Sequence, residues 1–261
     1  MSKPTLGIIG GGQLGSMLAA AAKKINIKTV IFCDDPDAPG QKFSDEFICE
    51  KYDDQNAIDQ FINAVDIITF EFENIPYETL KKINNVKPVV PHPSINKIVQ
   101  NRLTEKDFLN KLNIRTTQYT SVNNLKDIFS NENLIPGLLK TCTLGYDGKG
   151  QYKINSIKEL TNENINFNNK YILEKLVKLK KEISVIITRF KDEKCEIYEP
   201  IENTHEDQIL KHSKIPADIN ENILEQSKKW SKMIAEELKY IGTLCVEFFI
   251  DKNDNLYVNE I

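Results

Sequence analysis

Apolar residues come in short, separated runs over the first third of the chain and in looser mixed patterns beyond it. Residues 5–9 form an apolar run that ends in Gly10-Gly11-Gly12, and an alanine-rich segment of high helix propensity follows over residues 13–24. This predicts strand, glycine turn and helix. Residues 29–33 are β-branched and apolar and close on Asp34-Asp35-Pro36; residues 65–70 repeat the pattern before Glu71-Phe72-Glu73-Asn74-Ile75-Pro76. Strands alternating with helices predict a parallel sheet covered on both faces, an α/β arrangement.

The stretch 88–94 carries three prolines and reads as a boundary loop. One helix is predicted over 97–112. From residue 136 the pattern becomes α+β: residues 138–141 and 151–154 predict two strands joined by a glycine-rich loop, with further strands at 171–173, 184–190 and 195–198. A long helix over 221–240 carries Ile223, Leu224, Trp230, Ile234 and Leu238 near one face, with Gly242 as its stop. Two strands, 244–250 and 256–261, close the sequence. There is no internal repeat, and the Asn/Lys-rich patch at 162–170 is too short for a low-complexity tail.

Composition narrows the function classes. A length of 261 residues predicts two domains, or three small ones, at about 150 residues each. The 40% apolar and 28% charged balance is globular, and a net charge of −4 leaves no basic stripe for a nucleic-acid partner. Five scattered cysteines form no C-x-x-C pair, which argues against a disulfide framework or structural zinc and for reduced thiols. No apolar run approaches the roughly 18 residues needed to span a bilayer, and no signal-peptide pattern follows Met1. A soluble cytoplasmic protein with no membrane partner is expected.

Three segments carry candidate chemistry. Gly10-Gly11-Gly12-Gln13-Leu14-Gly15 satisfies G-x-G-x-x-G between strand and helix, where free N–H groups and a helix dipole suit a phosphate. Asp34 and Asp35 lie where a dinucleotide-binding enzyme would hold its ribose. The same glycines also suit a tight turn with close helix packing, and the motif alone does not decide.

Gly145-Tyr146-Asp147-Gly148-Lys149-Gly150-Gln151 lies between two strands rather than before a helix. Its glycines let the tip bend and aim backbone N–H groups at polyphosphate oxygens, with Lys149 and Lys140 adding charge; an ordinary long hairpin loop is the plainer reading.

The third candidate is the pair Glu247 and Glu260. If residues 252–255 form a four-residue loop, Asp251 faces Leu256 and Glu247 falls across from Glu260. Facing Cβ atoms are about 4.5–5.5 Å apart, so two like charges there call for a cation between them. Mg²⁺ would serve, since it uses one or two carboxylates plus phosphate oxygens, and Asn259 could add a neutral oxygen. A register shifted by one would instead put the acids on opposite faces. The three histidines, His92, His205 and His212, are too dispersed for a metal triad, and Asp147 or Glu73 could equally be surface turn residues.

Taken in order, GGGQLG at 10–15, TFEFENIP at 69–76, NRLTEKDFL at 101–109, GYDGKGQ at 145–151 and VNEI at 258–261 resemble the 5-(carboxyamino)imidazole ribonucleotide synthases, ATP-grasp enzymes of purine biosynthesis. The resemblance runs over the whole chain. It implies a Rossmann-like domain over 1–96 that binds no NAD. A connecting helix and lid with the glycine-rich loop follow over 97–172, and an incomplete ATP-grasp C-terminal domain spans 173–261.

It further implies ATP and one or two Mg²⁺ ions, no biotin, and aminoimidazole ribonucleotide and bicarbonate as substrates of an enzyme that commonly dimerises. By matching position, Arg102, Lys140 and the loop Gly145, Tyr146, Asp147, Gly148, Lys149, Gly150 and Gln151 would contact phosphates. Glu174, Lys175, Leu176 and Val177 would form the strand beside adenine, Glu182 would take the ribose hydroxyls, and His205 and Asn259 would lie by the nucleotide. Glu247 and Glu260 would hold magnesium. Gln13, Leu14, Glu73, Tyr146, Asp147 and Lys149 would face bicarbonate and the ribonucleotide, with Tyr146, Asp147 and Lys149 as catalytic candidates.

ATP would phosphorylate bicarbonate, and the carboxyphosphate formed would carboxylate the exocyclic amine; other ATP-grasp ligases, such as a formate-dependent glycinamide ribonucleotide transformylase, share much of this pattern. Three departures concern the details of phosphate contact: Asn101 stands where the family commonly has Asp, Cys142 where Arg is usual, and Gln208 where Gly is frequent. Family members continue past the equivalent of Ile261, so the reading expects a shortened chain that binds ATP weakly and carboxylates little.

Overall fold

The structure, a computed structural model, describes residues 3–71, 73–145, 150–162, 165–206 and 209–261. It forms two compact units, Met1–Lys97 and Ile98–Ile261.

In the first unit, β1 (Leu6–Ile9), α1 (Gln13–Lys24), β2 (Thr29–Cys33), β3 (Glu46–Cys49), α2 (Gln55–Ala64), β4 (Ile67–Phe70) and α3 (Tyr77–Asn84) build a parallel sheet of order β3-β2-β1-β4. β2 is buried along its whole length, as a parallel strand covered on both faces should be. Alternate strand residues feed two cores: Ile8 and Ile31 pack with Ala19 of α1, while Ile9 and Phe32 pack with Phe61 of α2 and Leu80 of α3. Asp54 starts α2 by accepting a hydrogen bond from the Ala57 N–H at 2.8 Å.

The proline-rich stretch is more ordered than a boundary loop. Val89 makes a parallel bridge to Ile68, and α4 (Pro93–Val99) begins inside it. The single helix predicted over 97–112 is thereby divided: α4 ends at Val99 and α5 spans Arg102–Lys111. The divider is Asn101, whose extended backbone and side-chain oxygen, accepting from the Leu103 N–H at 2.9 Å, restart the helix.

The second unit holds two sheets. β5 (Tyr119–Val122), α6 (Leu125–Phe129), β6 (Gly137–Thr141), β7 (Gln151–Ile154) and β8 (Tyr171–Lys175) give an antiparallel sheet of order β5-β8-β6-β7. Its apolar face gathers Val122, Ile128, Leu139, Tyr171 and Leu173. β9 (Leu179–Arg189), β10 (Cys195–Ile197), β11 (Ile201–Glu206), β12 (Ile209–Lys214), α7 (Glu221–Glu237), β13 (Gly242–Asp251) and β14 (Leu256–Glu260) follow. The larger sheet has the order β12-β11-β9-β13-β14, with β10 paired to β9. Beyond β14, Thr116 makes a parallel bridge to Val258, and the Val258 N–H donates to the Arg115 carbonyl at 2.9 Å.

α7 stops sooner than predicted. Lys239, at φ +48°, takes the left-handed position after the C-cap, and Tyr240 and Lys239 donate back to the Ala235 and Glu236 carbonyls at 2.9 Å, a Schellman closure made without glycine. Gly242, at φ +122°, opens β13 instead of ending the helix. Among the described residues, no helix is long and apolar enough to cross a membrane.

Candidate active site

The β13–β14 hairpin sets the acidic pair. Asp251 folds the turn: its Oδ1 accepts from the Asn253 and Asn255 N–H groups at 2.8 and 2.9 Å, and its Oδ2 accepts from Asn255 Nδ2 at 2.9 Å and the Tyr257 hydroxyl at 3.2 Å. Burial pushes the Asp251 pKa up, but these bonds outweigh it and hold the carboxyl below the usual range. The turn pairs Ile250 with Leu256, one step from the register a four-residue loop gives, and Phe249 with Tyr257 and Phe248 with Val258 follow suit. A bulge then intervenes, Asn259 is the extra residue, and Glu247 pairs with Glu260.

Around this pair lie more polar groups of the same sheet. The register of β13, β9 and β11 aligns Glu247 with Ser184, Phe249 with Glu182, and Glu182 with Asn203. Glu182 Oε2 and His205 Nδ1 are 2.7 Å apart. Desolvation and then the Glu260 charge push the Glu247 pKa up, while His205 and a hydrogen bond from the Asn259 side chain pull it down. Asn259 Oδ1 is buried with no partner among the described residues. Two facing carboxylates and an orphaned amide oxygen are a donor set of the kind Mg²⁺ takes. Among the described residues no group of three or more His, Cys, Asp and Glu could hold a metal ion, so an ion on this pair would need further oxygen ligands.

Arg102 links three segments. Its backbone N–H donates to the Cys142 carbonyl at 2.9 Å. Its guanidinium donates to the carbonyls of Thr141 at 3.2 Å and Gly145 at 3.0 Å, and to Glu260 Oε1 at 3.2 Å. The start of α5, the root of the glycine loop and the acidic pair are therefore fixed by one planar cation.

Behind it, Glu174 is buried between two ammonium groups, Lys106 at 3.4 Å and Lys140 at 3.1 Å. Burial would raise the Glu174 pKa, yet the two lysines outweigh it and the carboxyl stays below its usual range. The Glu174 side chain is thus committed to ion pairs, and strand β8 ends at Lys175, two residues into the expected four. Lys175, Leu176 and Val177 border a cavity of about 740 Å³ together with Thr116, Thr117 and Tyr257. Gly150, at φ +72°, returns the chain to β7 and its carbonyl accepts from the Thr141 N–H at 3.0 Å, while Gln151 pairs with Lys140. Tyr146, Asp147, Gly148, Lys149 and Gln208 lie outside the described residues.

In the first unit, Gln13 and Leu14 are exposed at the start of α1, and Glu73 is exposed with its Oε1 accepting from Asn74 Nδ2 at 2.9 Å. The glycine turn itself is filled. Glu71 Oε1 accepts from the Gly12 N–H and Oε2 from the Gly15 N–H, each at 2.6 Å.

Sequence reasoning passed over Glu71, Glu105 and Lys106. Lys106 is four residues after Arg102, hence on the same helix face, and that spacing was the available signal. Glu105 is buried and its Oε1 accepts from the Ile261 N–H at 2.7 Å; a charge pattern does not reveal such a contact.

Two family models match: a ribonucleotide synthetase preATP-grasp domain over residues 3–100 and an ATP-grasp domain over 107–261. An N5-carboxyaminoimidazole ribonucleotide synthase of Staphylococcus aureus (strain MRSA252) is 38% identical over 261 residues, covering 98% of this chain and 69% of that protein. An ADP complex of an N5-carboxyaminoimidazole ribonucleotide synthetase superposes with a TM-score of 0.93 at 34% identity, covering 100% of this chain and 70% of the other. The Staphylococcus aureus enzyme complexed with ADP gives 0.91 at 37% identity, over 98% and 69% of the two chains. With both domain types in order and identity at this level along nearly its full length, the chain belongs to the N5-carboxyaminoimidazole ribonucleotide synthase family of ATP-grasp proteins.

Proposed function

We propose that this chain carries out the ATP-dependent carboxylation of 5-aminoimidazole ribonucleotide with bicarbonate, in the cytosol and as a homodimer. The observation that carries the reading is the Glu247–Glu260 pair, set by the bulge at Asn259 and tied through Arg102 to the root of the glycine loop. A bound Mg²⁺ would supply charge neutralisation on the transferring phosphoryl group.

The chain's own groups then have separable tasks. Glu247, Glu260 and Asn259 hold the ion. Arg102, Lys140 and the loop 145–151 compensate phosphate charge, the segment 174–177 backs adenine, and Glu182, oriented by His205, accepts from the ribose hydroxyls. A bicarbonate oxygen attacks the γ-phosphorus and ADP leaves; the exocyclic amine then attacks the carboxyphosphate carbon, phosphate leaves with the electron pair, and the amine gives up one proton to the departing phosphate. Gln13, Leu14, Glu73, Tyr146, Asp147 and Lys149 orient the acceptor and exclude water.

The test is ADP release with bicarbonate plus aminoimidazole ribonucleotide, set against formate plus glycinamide ribonucleotide. Release with the first pair and not the second is expected. The reverse would replace this reading by the formate-dependent one.

A further inference from the structure

The glycine turn of the first unit has the sequence and position of a phosphate cradle, yet a carboxylate of the same chain sits in it. Glu71 leaves the end of β4 and its two oxygens take the N–H groups of Gly12 and Gly15, both at 2.6 Å. These bonds are short, as charge-assisted bonds are, and they lie where the dipole of α1 favours an anion.

Gly10 and Gly12 are shaped around this carboxylate. A Cβ on Gly12 would stand 2.8 Å from Glu71 Oε1, while one on Gly15 would meet the Gly10 carbonyl at 2.6 Å and then Glu71 Oε2 at 3.3 Å. Gly10 adopts φ +100°, which a side chain rarely tolerates, and the nearest group to its missing Cβ is again Glu71. The loop after β4 is drawn to the turn by the Glu71 N–H as well, which donates to the Ile9 carbonyl at 3.1 Å.

We propose that Glu71 is a positioning residue: a resident anion that takes the place of a phosphate in the β1–α1 turn, closes it to external nucleotide, and fixes Gln13 and Leu14 between its two bonds. It also fixes the strand end two residues before Glu73. The second half of this inference rests on the proposed function, in which Gln13, Leu14 and Glu73 face the ribonucleotide; the first half does not.

Amide resonances of Gly12 and Gly15 give the test, using inorganic phosphate as the probe. In the wild-type protein they stay in place as phosphate is added, whereas in Glu71→Ala they move with saturation. Wild-type amides that move as far as the variant's, or variant amides that stay fixed in a folded protein, would overturn the resident-anion assignment. Glu71→Gln keeps the shape without the charge, so it serves if the alanine variant fails to fold; hydrogen exchange at Gly12 and Gly15 then speeds up by about tenfold or more, and an unchanged rate counts against the charge.

Calorimetry covers the positioning half. Glu71→Gln weakens aminoimidazole ribonucleotide binding by about tenfold and leaves MgADP affinity unchanged. Equal weakening of both ligands would reduce Glu71 to general structural support. If wild-type protein binds MgADP but no ribonucleotide, the proposed substrate fails and the positioning half falls with it, while the phosphate titration still decides the first half.

Discussion

Glu247 and Glu260 face each other because a bulge corrects the hairpin that carries them. From Ile250 to Phe248 the two strands run one residue off the pairing that would bring the acids together, and Asn259 takes up the difference. Glu260→Gln should therefore lower metal-dependent ATP turnover by about a hundredfold or more while leaving thermal unfolding nearly unchanged. Asn259→Ala should lower it less, because it removes one neutral oxygen and leaves both acids in place. ADP release at varied Mg²⁺, read beside calorimetric unfolding, checks both; Glu260→Gln activity near the wild-type level would rule out the metal assignment.

Glu174 between Lys106 and Lys140 makes an unequal trio. Glu174→Gln leaves two buried ammonium groups without their counter-charge and should cost about 3–5 kcal/mol, whereas Lys140→Met leaves one balanced pair and should cost less. The double variant should recover part of the loss. Urea unfolding of the three proteins measures the order, and a Lys140→Met cost above that of Glu174→Gln would contradict it.

Asp251 makes stability depend on acid pH. Its folded pKa lies below the unfolded value, so its contribution is present above about pH 4 and is lost as pH falls through the folded pKa. Asp251→Asn should flatten that part of the stability profile. Asp251→Ala should cost about 2–4 kcal/mol at neutral pH, since four donors lose their acceptor. Denaturant midpoints from pH 3 to 7 would show both effects.

Asn101 caps α5 through its side-chain oxygen alone. Asn101→Ala should cost about 1 kcal/mol, and Asn101→Asp, by adding charge at the helix start, should gain about 0.3–1 kcal/mol at low salt. A melting temperature that falls with aspartate would mean that the local field opposes an anion there.

Much of this architecture could be read from residue order. The β1–α1 and β2 segments are compact apolar or alanine-rich runs, and both appear at the predicted residues. β11 and β12 could not be read this way: their strands, IENTHE and ILKHSK, are largely exposed and polar, so no alternation marks them. The α5 start was masked by good helix formers on both sides of Asn101, where a cap rather than propensity decides. The acidic pair was reached from an assumed loop that the structure does not have, and the bulge compensated. The occupant of the glycine turn comes from a strand about 60 residues away, which no local pattern encodes.

The bridge from Thr116 to Val258 has a consequence for association with other chains. β14 would otherwise present a row of unpaired N–H and C=O groups, the usual template for sheet-to-sheet aggregation. With the Arg115 carbonyl already bound to Val258 and Asn259 breaking the ladder beside it, an incoming strand finds few consecutive partners. The bulge residue that sets the acids also helps to make that flank a poor seed for polymerisation.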